Sequence, residues 1–149
     1  MITMSGAAVA AGAERTAQAE SFRRSREARG SALAQDYCEL IADLLEETGQ
    51  ARAVDIARRL GVAHPTVVKA IGRLKRDGLV RAEPYRSIFL TEEGQRQAIA
   101  ARRRHQIVLR FLAAIGVSDA SARRDAEGIE HHVSEETLQA MARFVEGRG

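Results

Sequence analysis

Apolar side chains recur every three or four residues through most of the chain, and this spacing predicts a mostly α-helical protein. Six helices are expected, each ended by a glycine or opened by Ser, Thr or a His-Pro pair, over residues 31–48, 54–60, 64–76, 92–115, 119–132 and 135–145. Two short strands, 79–83 and 87–91, are expected between the third and fourth helices. Residues 1–30 lack this periodicity, so we expect a largely flexible arm there, with some helix toward Ser21.

Residues 51–94 have the order of elements found in a winged helix-turn-helix. A short helix ends at Gly61, a second helix opens at His64, and a hairpin around Pro84 would form the wing. In the second helix, apolar residues at i, i+4 and i+7 face the core, which leaves short and cationic side chains on the opposite face. We therefore expect a DNA-binding domain over residues 31–94, with contacts from the second helix and the wing by His64, Pro65, Thr66, Lys69, Arg73, Arg76 and Arg86.

The distribution of charge agrees with a nucleic-acid partner. The net charge is only +3, but residues 51–110 hold 14 Lys and Arg against 5 Asp and Glu, whereas both flanking segments are net acidic. The arm also carries four arginines between Arg23 and Arg29. A DNA-touching arm is one interpretation of this cluster, and an inert tail is the one that we favour.

Glu127, Glu130 and His131 lie at i, i+3 and i+4, so a helix would present two carboxylates and an imidazole on one face. Three ligands on one turn do not enclose a divalent ion, so further ligands must come from elsewhere. Asp36 and Glu39 lie one turn apart at the rim of the apolar stripe of the first predicted helix, and His105 falls on the inward face of the fourth. The alternative is a solvated acidic turn and a hydrogen-bonded core histidine.

Composition excludes several other classes. One cysteine, Cys38, permits neither an intrachain disulfide nor a thiolate zinc cluster, and we expect it to be a small packed residue. No apolar run approaches the roughly 20 residues of a membrane span. The run Ala7 to Ala11 is too short and weakly hydrophobic for an export signal, so we expect a cytoplasmic protein with no membrane partner. The histidine and glutamate spacings of metal hydrolases are absent, so we do not expect an enzyme.

Four segments carry a resemblance to a known family: Asp36-Tyr37-Cys38-Glu39, Pro65-Thr66-Val67, Arg104-His105 and the run from Asp125 to Ser134. Over about residues 31–144 the chain resembles the diphtheria-toxin-repressor family of metal-dependent transcriptional repressors, in particular its manganese-sensing branch. The resemblance implies a homodimer that binds a palindromic operator when loaded with metal and represses manganese-uptake genes. It also implies that residues 95–149 form a helical metal-binding and dimerisation domain.

The same resemblance implies a binuclear site with two Mn(II) ions per subunit and Glu130 as a bridge, its ligands being Asp36, Glu39, His105, Glu127, Glu130 and His131. The iron-sensing branch has a methionine and a cysteine where this chain has Asp36 and Glu127, and oxygen ligands suit manganese. Two alternatives stay open: an iron-responsive member of the same family, and a winged-helix regulator that needs no metal.

Overall fold

The computed structural model describes residues 6–148, and these residues form six helices and one small sheet. The helices are α1 (Gly6–Thr48), α2 (Ala53–Leu60), α3 (His64–Arg76), α4 (Glu92–Ala114), α5 (Asp119–Ile129) and α6 (Glu135–Glu146). The sheet pairs β1 (Val80–Arg81) and β2 (Phe89–Leu90) antiparallel, with Val80 opposite Leu90. The mostly α-helical fold class is confirmed. No helix among the described residues is long and apolar enough to cross a membrane.

Helix α1 differs from the prediction at its start, because it begins at Gly6 rather than near Ser31 and runs for 43 residues. The expectation of largely irregular structure is therefore wrong for Gly6 to Gly30, and residues 1–5 lie outside the described part. This segment is rich in Ala, Glu and Arg and has no proline, which favours helix through intrinsic propensity. It buries almost nothing, so it shows none of the apolar periodicity from which a buried helix is recognised.

The C-terminal half of α1 is the centre of the first core. Cys38 and Ile41 are fully buried, as are Ile56 of α2 and Val67 of α3, and Ala98 of α4 joins the same cluster. Burial raises the pKa of the Cys38 thiol to about 11, as expected for a small packed residue. The predicted inward face of α3 is confirmed, because Val67, Ile71 and Leu74 are all buried.

The wing is shorter in regular structure than predicted, with two residues in each strand instead of five. Residues beside the strands bond elsewhere: the Ile88 N–H donates to the Ala51 carbonyl at 2.7 Å, and the Ala51 N–H donates to Ser87 Oγ at 2.9 Å. Lys75 Nζ donates to the Ala82 carbonyl at 3.0 Å. These bonds tie the base of the wing to the α1–α2 loop and to α3.

A second core joins the C-terminal helices. It contains Val108 and Leu112 of α4, Ala126 of α5 and Leu138 of α6. The predicted caps are confirmed, because the side chains of Thr91, Ser118 and Ser134 accept hydrogen bonds at the starts of α4, α5 and α6. Helix α4 thus belongs to both cores and links the DNA-binding half to the C-terminal helices.

Candidate metal site and DNA-binding surface

Three elements meet at the junction of the two cores, and each brings a predicted ligand. Helix α1 carries Asp36 and Glu39, α4 carries His105, and Glu130 directly follows the last residue of α5. Helix α5 ends at Ile129, not at His132, so Glu130 is its C-terminal cap and His131 lies in the following turn. Of the three residues predicted to share a helical face, only Glu127 lies on the helix, although the turn still directs Glu130 and His131 inward.

Asp36, Glu130 and His131 come together as a group of potential ligands. Each offers one oxygen or nitrogen atom, and these atoms lie within 4.8 Å of one another. Divalent ions bind such atoms at about 2.0–2.6 Å, so ligands on opposite sides of an ion are roughly 4–5 Å apart. The spacing fits a divalent cation held by carboxylate and imidazole.

Glu130 also joins His105 to this group. His105 Nδ1 lies 2.7 Å from Glu130 Oε2, and the other carboxylate oxygen lies 3.4 Å from His131 Nε2. The side chain of Glu130 is only 5% exposed. One buried carboxylate thus faces two histidines, which is the placement expected of a bridging ligand.

The ring of His131 has an unusual environment for a buried histidine. Nε2 lies 3.1 Å from Asp36 Oδ1, yet neither ring nitrogen has a hydrogen-bond partner within the described residues. Buried polar atoms are nearly always satisfied, so such atoms require an explanation. A cation bound by Nε2 would explain that atom, since an imidazole nitrogen beside carboxylate oxygens is a good ligand.

Three carboxyl groups in this region lie in environments that disfavour their ionised forms. The pKa values of Asp36, Glu39 and Glu130 are all raised, in each case mainly by burial. Neighbouring acids add to the rise: Glu127 acts on Asp36 and Glu130, and Asp43 acts on Glu39. A cation bound here would relieve this repulsion.

Not all six candidates are in the cluster at ligand distance. Glu39 is half-buried and lies close enough for the charges of Glu130 and His105 to influence its pKa. Glu127 is exposed on the last turn of α5 and acts on Asp36 and Glu130 only through its charge. The ligand roles of all six candidates stay predictions.

Sequence analysis missed an ion-pair cluster beside the site. Arg102 of α4 pairs with Asp43 and, at 3.1 Å, with Glu46 of α1. Arg102 precedes His105 by one turn, and Asp43 follows Glu39 by one turn, so the pairing holds α1 against α4 next to the candidate ligands. No sequence signal could have found it, because the partners are 59 and 56 residues apart.

The predicted DNA-binding side chains are all exposed. All six candidates on α3 are exposed, and Lys69, Arg73 and Arg76 have no ion pair within residues 6–148. Arg86 lies on the wing, 3.4 Å from Glu83. Lys75, which we had given no role, fastens the wing to α3. DNA contact by these residues stays a prediction.

Comparison with known protein families gives two matches that together span most of the chain. Residues 31–88 match a family model described as the N-terminal DNA-binding domain of the iron-dependent repressors. Residues 91–147 match one described as the metal-binding and dimerisation domain of the iron-dependent repressors. The candidate ligands are divided between the two segments.

Curated relatives cover the chain more continuously. The transcriptional regulator MntR of Escherichia coli O6:H1 is 55% identical over 130 residues, which covers 87% of this chain and 84% of the relative. MntR of Salmonella typhimurium is 53% identical over 130 residues, with 87% and 83% covered. The HTH-type regulator MntR of Geobacillus kaustophilus is 38% identical over 112 residues, with 75% and 79% covered.

Solved structures show the same fold. A manganese-dependent transcriptional repressor in complex with manganese is 30% identical, with a TM-score of 0.68, and covers 76% of this chain and 52% of its own. The manganese regulator SloR is 25% identical, with a TM-score of 0.67, and the match covers 76% of this chain and 53% of SloR. The chain spans about half the length of these two structures.

Proposed function

The chain belongs to the iron-dependent repressor family of transcriptional regulators, and from this premise we propose that it is a repressor whose binding to DNA responds to manganese. The observation that carries the proposal is the group of buried Glu130 with half-buried Asp36 and His131, which spans both halves of the molecule. Asp36 lies on the helix that forms the core under the DNA-binding surface, whereas Glu130 and His131 end α5. A ligand held by all three would tie the two halves together.

The ligand chemistry supports manganese within this family. The candidate set contains four carboxylates and two imidazoles and no sulfur, and oxygen-rich sites suit manganese. The relatives named above are MntR proteins, and the two solved structures are described as manganese repressors or regulators. Manganese is low in the affinity order of divalent metals, so selection must depend on coordination geometry rather than on tightness of binding alone.

The proposed mechanism starts from repulsion. When the site holds no cation, burial and like charge act on Asp36, Glu39 and Glu130, which disfavours close approach of α1 to the end of α5. Manganese would supply positive charge between these groups. Asp36 would then be fixed relative to His131, and α1 would hold α3 in one orientation, since both helices share the first core. Less motion of α3 favours simultaneous contact with two half-sites.

The DNA partner and the assembly follow from the same family. We propose that two copies pair through the C-terminal helices and place their α3 helices on a palindromic operator of manganese-uptake genes. Thr66 would lie near base edges, and Arg73 and Arg76 would contact phosphates. A DNA partner of this kind also agrees with a cytoplasmic location.

The number of ions bound per subunit is a direct test of the proposed binuclear site. We propose that each subunit binds two Mn(II) ions. Glu130 would bridge them, and His105 and His131 would each supply an imidazole ligand, because the Glu130 carboxylate faces both rings. Titration of the metal-free chain with Mn(II), with unbound ion followed by its electron paramagnetic resonance signal, should give two ions per subunit. His105→Ala should lower this to about one, because one of the two positions loses its imidazole.

His132→Ala is the matched control, since His132 neighbours the site but is exposed. This variant should still bind two ions. A wild-type stoichiometry of one, unchanged by His105→Ala, would leave His105 as a hydrogen-bonded neighbour of Glu130 and would reject the binuclear proposal.

A further inference from the structure

The N-terminal 25 described residues of α1, Gly6 to Gly30, form a helix with almost no support from the rest of the chain; we call this segment the extension. Every residue in it is exposed except Gly12 and Ala28, which are half-buried. At 1.5 Å per residue it is about 37 Å long. A polar helix of this kind is marginal in water unless it has a partner. The chemistry of its surface indicates what that partner is.

The charge of the extension points to an anionic partner. Arg23, Arg24, Arg26 and Arg29 fall within seven residues that contain a single acid, Glu27. Arg24 pairs with Glu20 at 3.6 Å. The other three arginines have no ion pair within the described residues. Three uncompensated cations on a solvated helix favour an extended polyanion over a small ligand.

The positions of two of these arginines indicate which polyanion the extension binds. Glu27, Gly30 and Ala34 of α1 line a depression shared with Arg73 of α3 and with Asp77, so this face of α1 borders the candidate DNA-binding helix. Arg23 precedes Gly30 by seven residues and Arg26 precedes it by four, which places both arginines on the same face of the helix as Gly30. Arg26 directly precedes Glu27, and Arg23 precedes Glu27 by four residues, about 6 Å along the helix.

Arg24 lies on another face of the extension. Together with Ser21, Ser25 and Ala28 it lines a depression shared with the turn His131 to Ser134, on the side of the C-terminal helices. One helix thus presents Arg23 and Arg26 toward the side of α3 and Arg24 toward the candidate metal site. This division supplies a variant of the same residue type that should not reach DNA bound to α3.

We propose that the extension is a second DNA-binding element, in which Arg23 and Arg26 contact backbone phosphates that flank the base pairs reached by α3. The proposal rests on the proposed DNA binding of α3 and extends its basic surface, through Arg73, onto α1. It changes the inert tail that sequence analysis favoured into a functional part of the protein. Guanidinium groups pair well with phosphate oxygens in this role.

The test uses the full chain loaded with Mn(II) and a 60-base-pair duplex, selected from a random-sequence pool by the wild-type protein. Affinity is measured by fluorescence anisotropy over a series of salt concentrations. Each phosphate contact contributes about 0.9 to the slope of log affinity against log salt. Arg23→Ala/Arg26→Ala should reduce the slope by about 1.8 if one protomer of a dimer reaches DNA in this way, and by about 3.6 if both do.

Arg15→Ala/Arg24→Ala is the control, because it removes the same charge from the same helix. Arg24 lies on the other face, and Arg15 precedes Glu27 by twelve residues, about 18 Å along the helix and farther from α3 than Arg23 or Arg26. Alanine favours helix, and circular dichroism should show equal helix content in all three proteins. The control should keep the wild-type slope to within about one phosphate contact. A duplex shortened to the base pairs reached by α3 lacks the flanking phosphates. On this duplex the two double variants should give equal salt slopes.

Equal slopes for the two double variants on the long duplex would overturn the proposal. A change in the oligomeric state of Arg23→Ala/Arg26→Ala without DNA would also overturn it, since the extension would then pair with a second copy. If wild type binds the duplex only with Mn(II) but the two double variants have equal salt slopes, the extension proposal alone fails. If wild type shows no manganese-dependent binding, the proposed function fails with it.

Discussion

At the scale of single residues, Glu130 has the central position, because one buried carboxylate contacts His105 at 2.7 Å and lies 3.4 Å from His131. Burial raises its pKa above the usual value, and the hydrogen bond from His105 only partly offsets this. An acid in this position is poorly suited to carry a negative charge without a cation. A cation bound beside it would favour its ionised form.

This raised pKa predicts opposite effects of pH on the metal-free and the manganese-loaded protein. A raised carboxyl pKa means that the folded state binds more protons than the unfolded state, so this contribution to stability is present at low pH and lost as pH rises through the folded pKa. Glu130→Gln should therefore stabilise the metal-free chain at neutral pH, by an amount that shrinks as pH falls toward the usual carboxyl range. Urea unfolding with a chelator present measures this.

With Mn(II) the sign reverses, because the ion binds the ionised carboxylate and competes with protons. Wild type at 100 times the dissociation constant should gain about 2.7 kcal/mol at neutral pH for each ion that it binds, and the gain should fall on acidification. A metal-free Glu130→Gln protein less stable than wild type at neutral pH would contradict this account of the site. So would a manganese effect that is independent of pH.

The candidate residues divide by how their signals arise. His105 could be predicted because its position on an apolar stripe is a local property of the sequence, and Glu130 because it belongs to a short motif. The difference between buried Glu130 and exposed Glu127 could not, since it depends on where α5 ends against α4. The Arg102 pairing with α1 was equally hidden, because it depends on the tertiary packing of α1 against α4.

At the scale of elements, the close approach of α4 to the start of the wing depends on Gly94. A Cβ at this position would collide with the Leu79 carbonyl oxygen and would lie 3.1 Å from a side-chain carbon of Leu90. The obstructing atom is backbone, which cannot rotate away. Gly94 also donates its N–H to Thr91 Oγ1 at 3.1 Å, which fixes the start of α4 at the same point.

Gly94→Ala should therefore lower the free energy of unfolding by roughly 1–3 kcal/mol, the usual range for overpacking. Gly72→Ala in α3 is the control, because nothing lies within 4 Å of a Cβ there and the backbone is helical. That change should raise the free energy of unfolding by about 0.5–1 kcal/mol through helix propensity. Chemical denaturation measures both, and a Gly94→Ala protein as stable as wild type would mean that α4 does not approach the wing this closely.

Most elements could be predicted where the chain marks their ends locally. Thr91, Ser118 and Ser134 cap helices as expected, and Gly61 ends α2 with a φ of 65°. The two failures have tertiary or solvent causes. The strands are short because Ser87 and Ile88 bond to Ala51, and the extension was missed because an exposed helix carries no apolar stripe.

At the scale of the whole molecule, acidic and basic chemistry occupy different parts of one linked structure. The basic segment 51–110 contains α3 and the wing, whereas Asp36, Glu130 and His131 come from the acidic flanking segments. Helix α4 packs in both cores and α1 reaches the candidate ligands and the core beneath α3. A change in charge at the junction therefore has a direct structural route to the DNA-binding surface.

The most direct test of the central claim is the affinity of the full chain for its selected duplex, measured with Mn(II) and with a chelator, in wild type and His131→Ala. Coupling between sites is usually 1–3 kcal/mol, so Mn(II) should raise the affinity of wild type by about 5-fold to 150-fold. His131→Ala should bind in both conditions as weakly as wild type does with the chelator. The account would be contradicted if wild type fully occupied by Mn(II) bound DNA no more tightly than wild type with the chelator. The protein would then be a winged-helix regulator that does not respond to metal.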